Sequence, residues 1–307
     1  MIVRQPPNLF QLFFLVRGSV VQRIYPQALA IAGLSVAVVW THHAYPGLVA
    51  DFNSAPFAVL GIALSVFMGF RNSACYDRWW EARRHWGELI CLSRNLSRQT
   101  LILQQSGDGT DLSRPTLLTL AIAFAQSLVL HLRPGGDTDK VERRLTPEIL
   151  ARYNTSRNPP EVLLAAMQAE IAAQHRNGQL RDIPFQMLDH TIGQMAMVQA
   201  ACERIRSTPV PFGYTLLLHR TAYVYCFLLP FGFANTLGWL TPFATALAAY
   251  TFFGLDALGS ELEEPFGQLP NDLPIGALAD TIELNLREAL GETDLPALPR
   301  PVDHILI

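Results

Sequence analysis

Half of the 307 residues are hydrophobic and only 16% are charged, well under the roughly 25% of a typical soluble domain, which makes lipid part of the chain's solvent. A mean hydropathy of +0.20 is still low for a protein made only of spans, so the apolar excess is concentrated and the remainder faces water. The formal net charge of −3 excludes the basic face that a nucleic-acid partner would need.

Arg4 is followed by polar residues and prolines, and the first long apolar run begins only after Tyr25, without a small-residue cleavage pattern. No removable signal peptide is expected. A bilayer span needs about 20 mostly apolar residues; residues 26–43 (PQALAIAGLSVAVVWTHH) are the first candidate and 55–71 (APFAVLGIALSVFMGFR) the second and shortest. Residues four apart lie one turn apart on one helix face, which gives the second span two neighbouring columns. Ile62, Val66 and Phe70 make a bulky one. Gly61, Ser65 and Gly69 make a helix-packing column, small enough for backbones to approach closely in lipid. If copies of this helix pack through the small column around an axis, the bulky column points to the centre as an apolar constriction that gates by dewetting. Periodicity alone leaves open the alternative that the bulky column faces lipid.

Residues 70–87 (FRNSACYDRWWEARRHWG) interleave Tyr76, Trp79, Trp80 and Trp86 with Arg71, Arg78, Arg83 and Arg84, a composition suited to a helix crossing the headgroup layer. Asp77 and Glu81 are spaced to pair with arginines on the same helix. From 88 to 209 apolar residues recur at helical spacing in 88–105, 161–175 and 184–205, and nothing alternates like a strand. Gly107-Asp108-Gly109, Pro134-Gly135-Gly136 and Asn158-Pro159-Pro160 break the pattern. The apolar stretch 116–132 is a possible fifth span, but crossing there would send the ten Lys and Arg of 133–209 outward, and Gln126, Ser127 and His131 interrupt it. It reads as a buried helix of the water-exposed portion.

Residues 213–234 and 238–258 complete four spans. Pro265-Phe266-Gly267 and Pro270-Asn271-Asp272 lead into an amphipathic helix near 276–290, and the final PALPRPVDHILI reads as an extended tail available to wrap a neighbour. No Lys or Arg lies between His42 and Ser54 or between Asn235 and Thr241, whereas Arg17 and Arg23 precede the first span, arginines follow the second, and Arg204 and Arg206 precede the third. The positive-inside rule then puts both termini and the middle of the chain in the cytoplasm of a bacterial inner membrane. The expected organisation is 1–87 for the first two spans with the neck, 88–211 for a cytoplasmic helical region, 212–260 for the last two spans and 261–307 for a cytoplasmic connection, helix and tail.

Catalytic patterns do not emerge. His42 and His43 are adjacent, so on a helix they point about 100° apart and cannot share a metal as an i, i+4 pair could. His85, His131, His175, His190, His219 and His304 are scattered, and HExxH, GxSxG, a phosphate-binding glycine loop and cysteine–histidine metal spacing are all missing. Cys75, Cys91, Cys202 and Cys226 lack CxxC spacing and read as buried thiols. No metal, cofactor or enzymatic activity is expected. A redox protein or enzyme whose site assembles only in three dimensions, and a non-conducting scaffold, stay open as alternatives.

Several segments resemble the bestrophin family of pentameric ion channels, particularly its bacterial members. RGSVVQRIY at 17–25 is similar to the family's approach to its first helix, DRWW at 77–80 to its Arg-Trp-Trp motif, and EEPFGQLPNDLP at 263–274 to the stretch after its last span. These matches are ordered and correctly spaced over nearly the whole chain. The resemblance implies an all-α polytopic membrane protein with four transmembrane helices per subunit and a helical cytoplasmic region, assembled as a homopentamer around an axial pore for monovalent ions. Counting from DRWW, it implies a neck lined by Ile62, Val66 and Phe70, the bulky column already described. Alignment of the proline before the third span with Pro211 implies a second, cytoplasmic constriction at Ile183 in RDIPF, with Asp182 beside it. Five carboxylates around an axis favour cations, and bacterial members similar to this chain resemble sodium-conducting channels, so sodium is the expected ion and chloride the alternative. The acidic calcium clasp of animal members falls at Gln268, Leu269, Pro270, Asn271 and Asp272, which lack most of the carboxylates; a hard cation wants six to eight oxygens. Calcium gating is not expected there, and Glu261, Glu263 and Glu264 are left as a weak cation cluster.

Overall fold

The computed structural model describes residues 1–4, 8, 18–45, 47, 52–105 and 113–306; Arg17 and the Gly107-Asp108-Gly109 break lie outside them. The elements are α1 (Val21–Ala44), α2 (Ala55–Gln99), a 3-10 turn (Thr100–Gln105), α3 (Ser113–Leu132), α4 (Asp139–Glu142), α5 (Pro147–Thr155), α6 (Pro159–Arg176), α7 (Asp182–Ser207), α8 (Phe212–Leu237), a second 3-10 turn (Gly238–Leu240), α9 (Thr241–Glu263) and α10 (Ile275–Ala289). They form two compact units: Arg4–Trp79 with Pro209–Pro265, and Trp80–Thr208 with Met1–Val3 and Phe266–Ile307.

The first unit holds the four apolar segments read from the sequence. There α1, α8 and α9 pack on one another, and the start of α2 joins them through Leu64 and Met68, which share a core with Ile24, Tyr225, Leu229 and Phe252. Inside the bundle the Ser35 and Thr245 hydroxyls pair with each other at 2.6 Å, a contact of the kind that holds helices together in lipid. The helix that carries the second expected span continues past 71. With no proline after Pro56, α2 runs unbroken for 45 residues, roughly 68 Å at 1.5 Å per residue and more than twice the ~30 Å hydrocarbon thickness.

Close approaches of α2 are made by glycines. A Cβ on Gly61 would fall 2.4 Å from the Tyr225 hydroxyl of α8, and one on Gly232 of α8 would fall 2.6 Å from the Phe57 ring. Gly61→Val should therefore lower stability by about 1–3 kcal/mol, the usual cost of overpacking, read as a lower unfolding midpoint in detergent. Gly69, with open space around its missing Cβ, serves as the tolerant control.

The second unit is organised around α3. Two-thirds of its apolar window, 67%, is buried by protein, against 17% for that of α2, because α6 and α10 pack along it. Its polar interruptions have protein partners. Gln126 donates to Asp280 at 2.8 Å and to Glu283 at 3.2 Å on α10, and the Ser127 hydroxyl lies 3.1 Å from that of Tyr153 on α5. These bonds account for a helix that is apolar all round yet carries amide and hydroxyl groups. On α10, Glu283 is buried and meets Arg144 and Arg287; burial holds the Arg144 guanidinium below its ordinary value while Glu283 pulls it back up.

Three local expectations are corrected. Trp86 is fully buried in this unit rather than anchoring at a headgroup layer, and Glu81 pairs with Arg204 of α7 and approaches His85, not an arginine on its own helix. Cys91 is exposed, while the other three cysteines are buried; burial pushes the Cys202 thiol up to about 12. The tail meets the other end of its own chain: Val3 N–H donates to the His304 carbonyl and Leu306 N–H to that of Met1, each at 2.9 Å.

Candidate functional site

On α2 the faces separate cleanly. Gly61, Leu64, Met68, Arg71 and Cys75, spaced three and four apart, are covered by the chain's own helices. Ile62, Val66 and Phe70 are not: they are 68%, 49% and 65% exposed. Three large apolar side chains one turn apart are thus left uncovered by the chain's own helices. The small column beside them divides. Gly61 is already occupied by Tyr225, the Ser65 hydroxyl donates to the Gly61 carbonyl at 2.8 Å, and Gly69 is open. Gly61 thus packs within its own chain, and Ser65 and Gly69 of the three remain uncovered.

One residue beyond Phe70, Arg71 is 1% exposed and holds three side chains of α9 at once. Its Nη1 donates to Asp256 Oδ1 at 2.8 Å, and its Nη2 to Ser260 Oγ at 3.0 Å and to Glu263 Oε2 at 3.4 Å. The other oxygen of Asp256 lies 2.7 Å from His219 Nδ1 on α8. A planar guanidinium suits such a site because its fixed fork of donors serves several acceptors together. This network fixes the rotation of α2 at the height of Phe70, and so fixes which face carries the exposed column.

The acidic stretch at the end of α9 is committed to arginines. Glu261 pairs with Arg23 at 2.9 Å, and Glu263 takes Arg71 on its carboxylate and Arg78 Nε on its carbonyl at 3.2 Å. The expectation that Glu261, Glu263 and Glu264 form a weak cation cluster is corrected accordingly. Further on, Asp272 is buried and accepts the Leu269 N–H at 2.6 Å, closing the turn before α10.

In the second unit α7 begins at Asp182, and both residues assigned to the cytoplasmic constriction project outward: Ile183 is 80% exposed and the Asp182 side chain 86%. A carboxylate in the first turn of a 26-residue helix is stabilised by the positive end of its dipole. His175, from the end of α6, stacks on Phe185 at 4.8 Å and brings Nε2 to 3.7 Å from Asp182 Oδ1.

The profile of the family described as Bacterial/Fungal Bestrophin protein matches residues 1–288. This chain is a bestrophin. Its relatives include a voltage-dependent anion channel-forming protein of Mesorhizobium japonicum, 44% identical over 97% of this chain and 95% of that one. Another so named, from Escherichia coli K12, is 40% identical over 99% of both. The crystal structure of a bacterial bestrophin homologue from Klebsiella pneumoniae matches with a TM-score of 0.82 at 37% identity, covering 88% of this chain and 99% of that one. The resemblance read from DRWW and PFG, and the all-α polytopic membrane fold it implies, are those of this bestrophin.

Two parts of the bestrophin site escaped sequence reading. Arg71 among aromatics has the composition of a headgroup anchor, although an ionisable residue closing an apolar run is itself a signal for a buried partner. The partner of Gly61 carried no local signal, since Tyr225 lies 164 positions away in the chain.

Proposed function

We propose that this bestrophin is one subunit of a homopentamer in a bacterial inner membrane, conducting monovalent ions through an axial pore. It is a channel rather than an enzyme. The observation that carries the reading is the uncovered column of Ile62, Val66 and Phe70: turned to a common axis, it forms a neck in which ions shed little hydration and flow is set by wetting of the apolar walls. Ile183 and Asp182 ring the second constriction, from the cytoplasmic helical region. Pairing of residues 1–3 with 302–306 supports termini on one side of the bilayer, the cytoplasmic side by the distribution of arginines.

The relatives are named as anion channel-forming proteins, which favours anions, and the expectation of sodium finds no support there. Cation conduction stays as a second reading because of one feature, the exposed Asp182 beside Ile183. A reversal-potential measurement in planar bilayers under a tenfold NaCl gradient decides between them. A potential on the chloride side establishes anion conduction, one on the sodium side cation conduction, and purified assembly with no flux at all overturns the channel reading.

A further inference from the structure

The ring of His175 is held between two oxygens. Its Nδ1 lies 2.9 Å from the carbonyl of Leu180, and because a carbonyl only accepts, Nδ1 carries the proton. The turn that aims this carbonyl depends on Gly178, at φ +74°, between the end of α6 and the start of α7. On the other side Nε2 faces the Asp182 carboxylate at 3.7 Å. In the neutral ring that nitrogen presents a lone pair to a carboxylate oxygen; in the imidazolium it presents N–H, and both contacts become favourable. Phe185, stacked at 4.8 Å and 25°, holds the ring in this plane.

Asp182 is the charged side chain that pairs with the ring, from the first turn of α7. Arg176 and Arg181 flank the same turn and are exposed to solvent. Resting on the reading that Asp182 and Ile183 ring the cytoplasmic constriction, we propose that His175 is a specificity-determining residue, whose proton sets the charge of that ring. With His175 neutral each subunit offers one bare carboxylate to passing ions. With His175 protonated the pair is neutral, and the ring loses its preference for cations. Histidine is the side chain suited to this task because it changes charge within the physiological range. Selectivity, in whichever direction it starts, shifts towards anions on acidification.

The test is the reversal potential of the full-length channel in planar bilayers under a NaCl gradient, at about pH 8 and about pH 5.5, the two ends of the range over which histidine side chains in general change charge. Wild type should lose roughly fivefold in its sodium-to-chloride permeability ratio on acidification, the order of the interaction between unit charges a few ångström apart in water. His175→Gln should keep its alkaline ratio at both values. Asp182→Asn should show the low ratio at both, and since that side chain is almost wholly exposed it carries the test even if the histidine variant fails to assemble. A pH shift that survives in either variant, or its absence in wild type while Asp182→Asn still alters the ratio, overturns the proposal and leaves the constriction in place. Wild-type ratio and conductance in both Asp182→Asn and Ile183→Ala remove the constriction itself.

Discussion

Alanine at Phe70 should raise single-channel conductance severalfold, and Val66→Ala with Phe70→Ala should raise it further. Each substitution removes apolar volume from a column that the protomer's own helices leave uncovered, so the passage widens and the cost of wetting it falls. Truncating side chains outside the core leaves stability within about 0.5 kcal/mol, so assembly and unfolding midpoint stay at wild type and the change in current is a change in the pore. Ile62→Ala is expected to act in the same direction. If all three variants assemble and conduct as wild type does, the column faces lipid, the alternative that periodicity alone left open.

What was legible in the sequence is what repeats locally. The four-residue spacing of Ile62, Val66 and Phe70, and the polar residues that keep 116–132 inside protein, are short-range patterns that survive in the structure because burial follows helical period. Contacts across the chain were not legible. Asp256 lies 185 positions from Arg71, and nothing near either residue names the other. Trp86 was misread because an aromatic among arginines has the composition of an interfacial anchor, whereas its fate depends on α2 continuing past the membrane segment into a second core. The tail was read as extended correctly but without its partner, since strand-like pairing of residues 1–3 with 302–306 joins the two extremes of the chain. His175 and Asp182 stand seven apart across a turn; their spacing was visible, but the ring's two oxygen partners follow only from the backbone path at Gly178.

The largest loss of stability is expected at Arg71. Replacing it by Met keeps much of the volume but removes the only cation that meets both Asp256 and Glu263 among the described residues. Asp256 then keeps only His219 and Glu263 loses its guanidinium, and breaking a buried pair from one side typically costs about 3–5 kcal/mol. Arg71→Lys should recover only part of this, because one ammonium is a point charge and cannot reach Asp256, Ser260 and Glu263 together as the fork does. Asp256→Asn should cost less than Arg71→Met, since Glu263 still meets the guanidinium. Thermal unfolding followed by size-exclusion in detergent orders the variants. Equal midpoints for wild type and Arg71→Met mean that the network contributes nothing to holding α2. A low midpoint for Arg71→Met, with altered conductance in Arg71→Lys at intact assembly, ties the orientation of Phe70 to the anchor one residue beyond it.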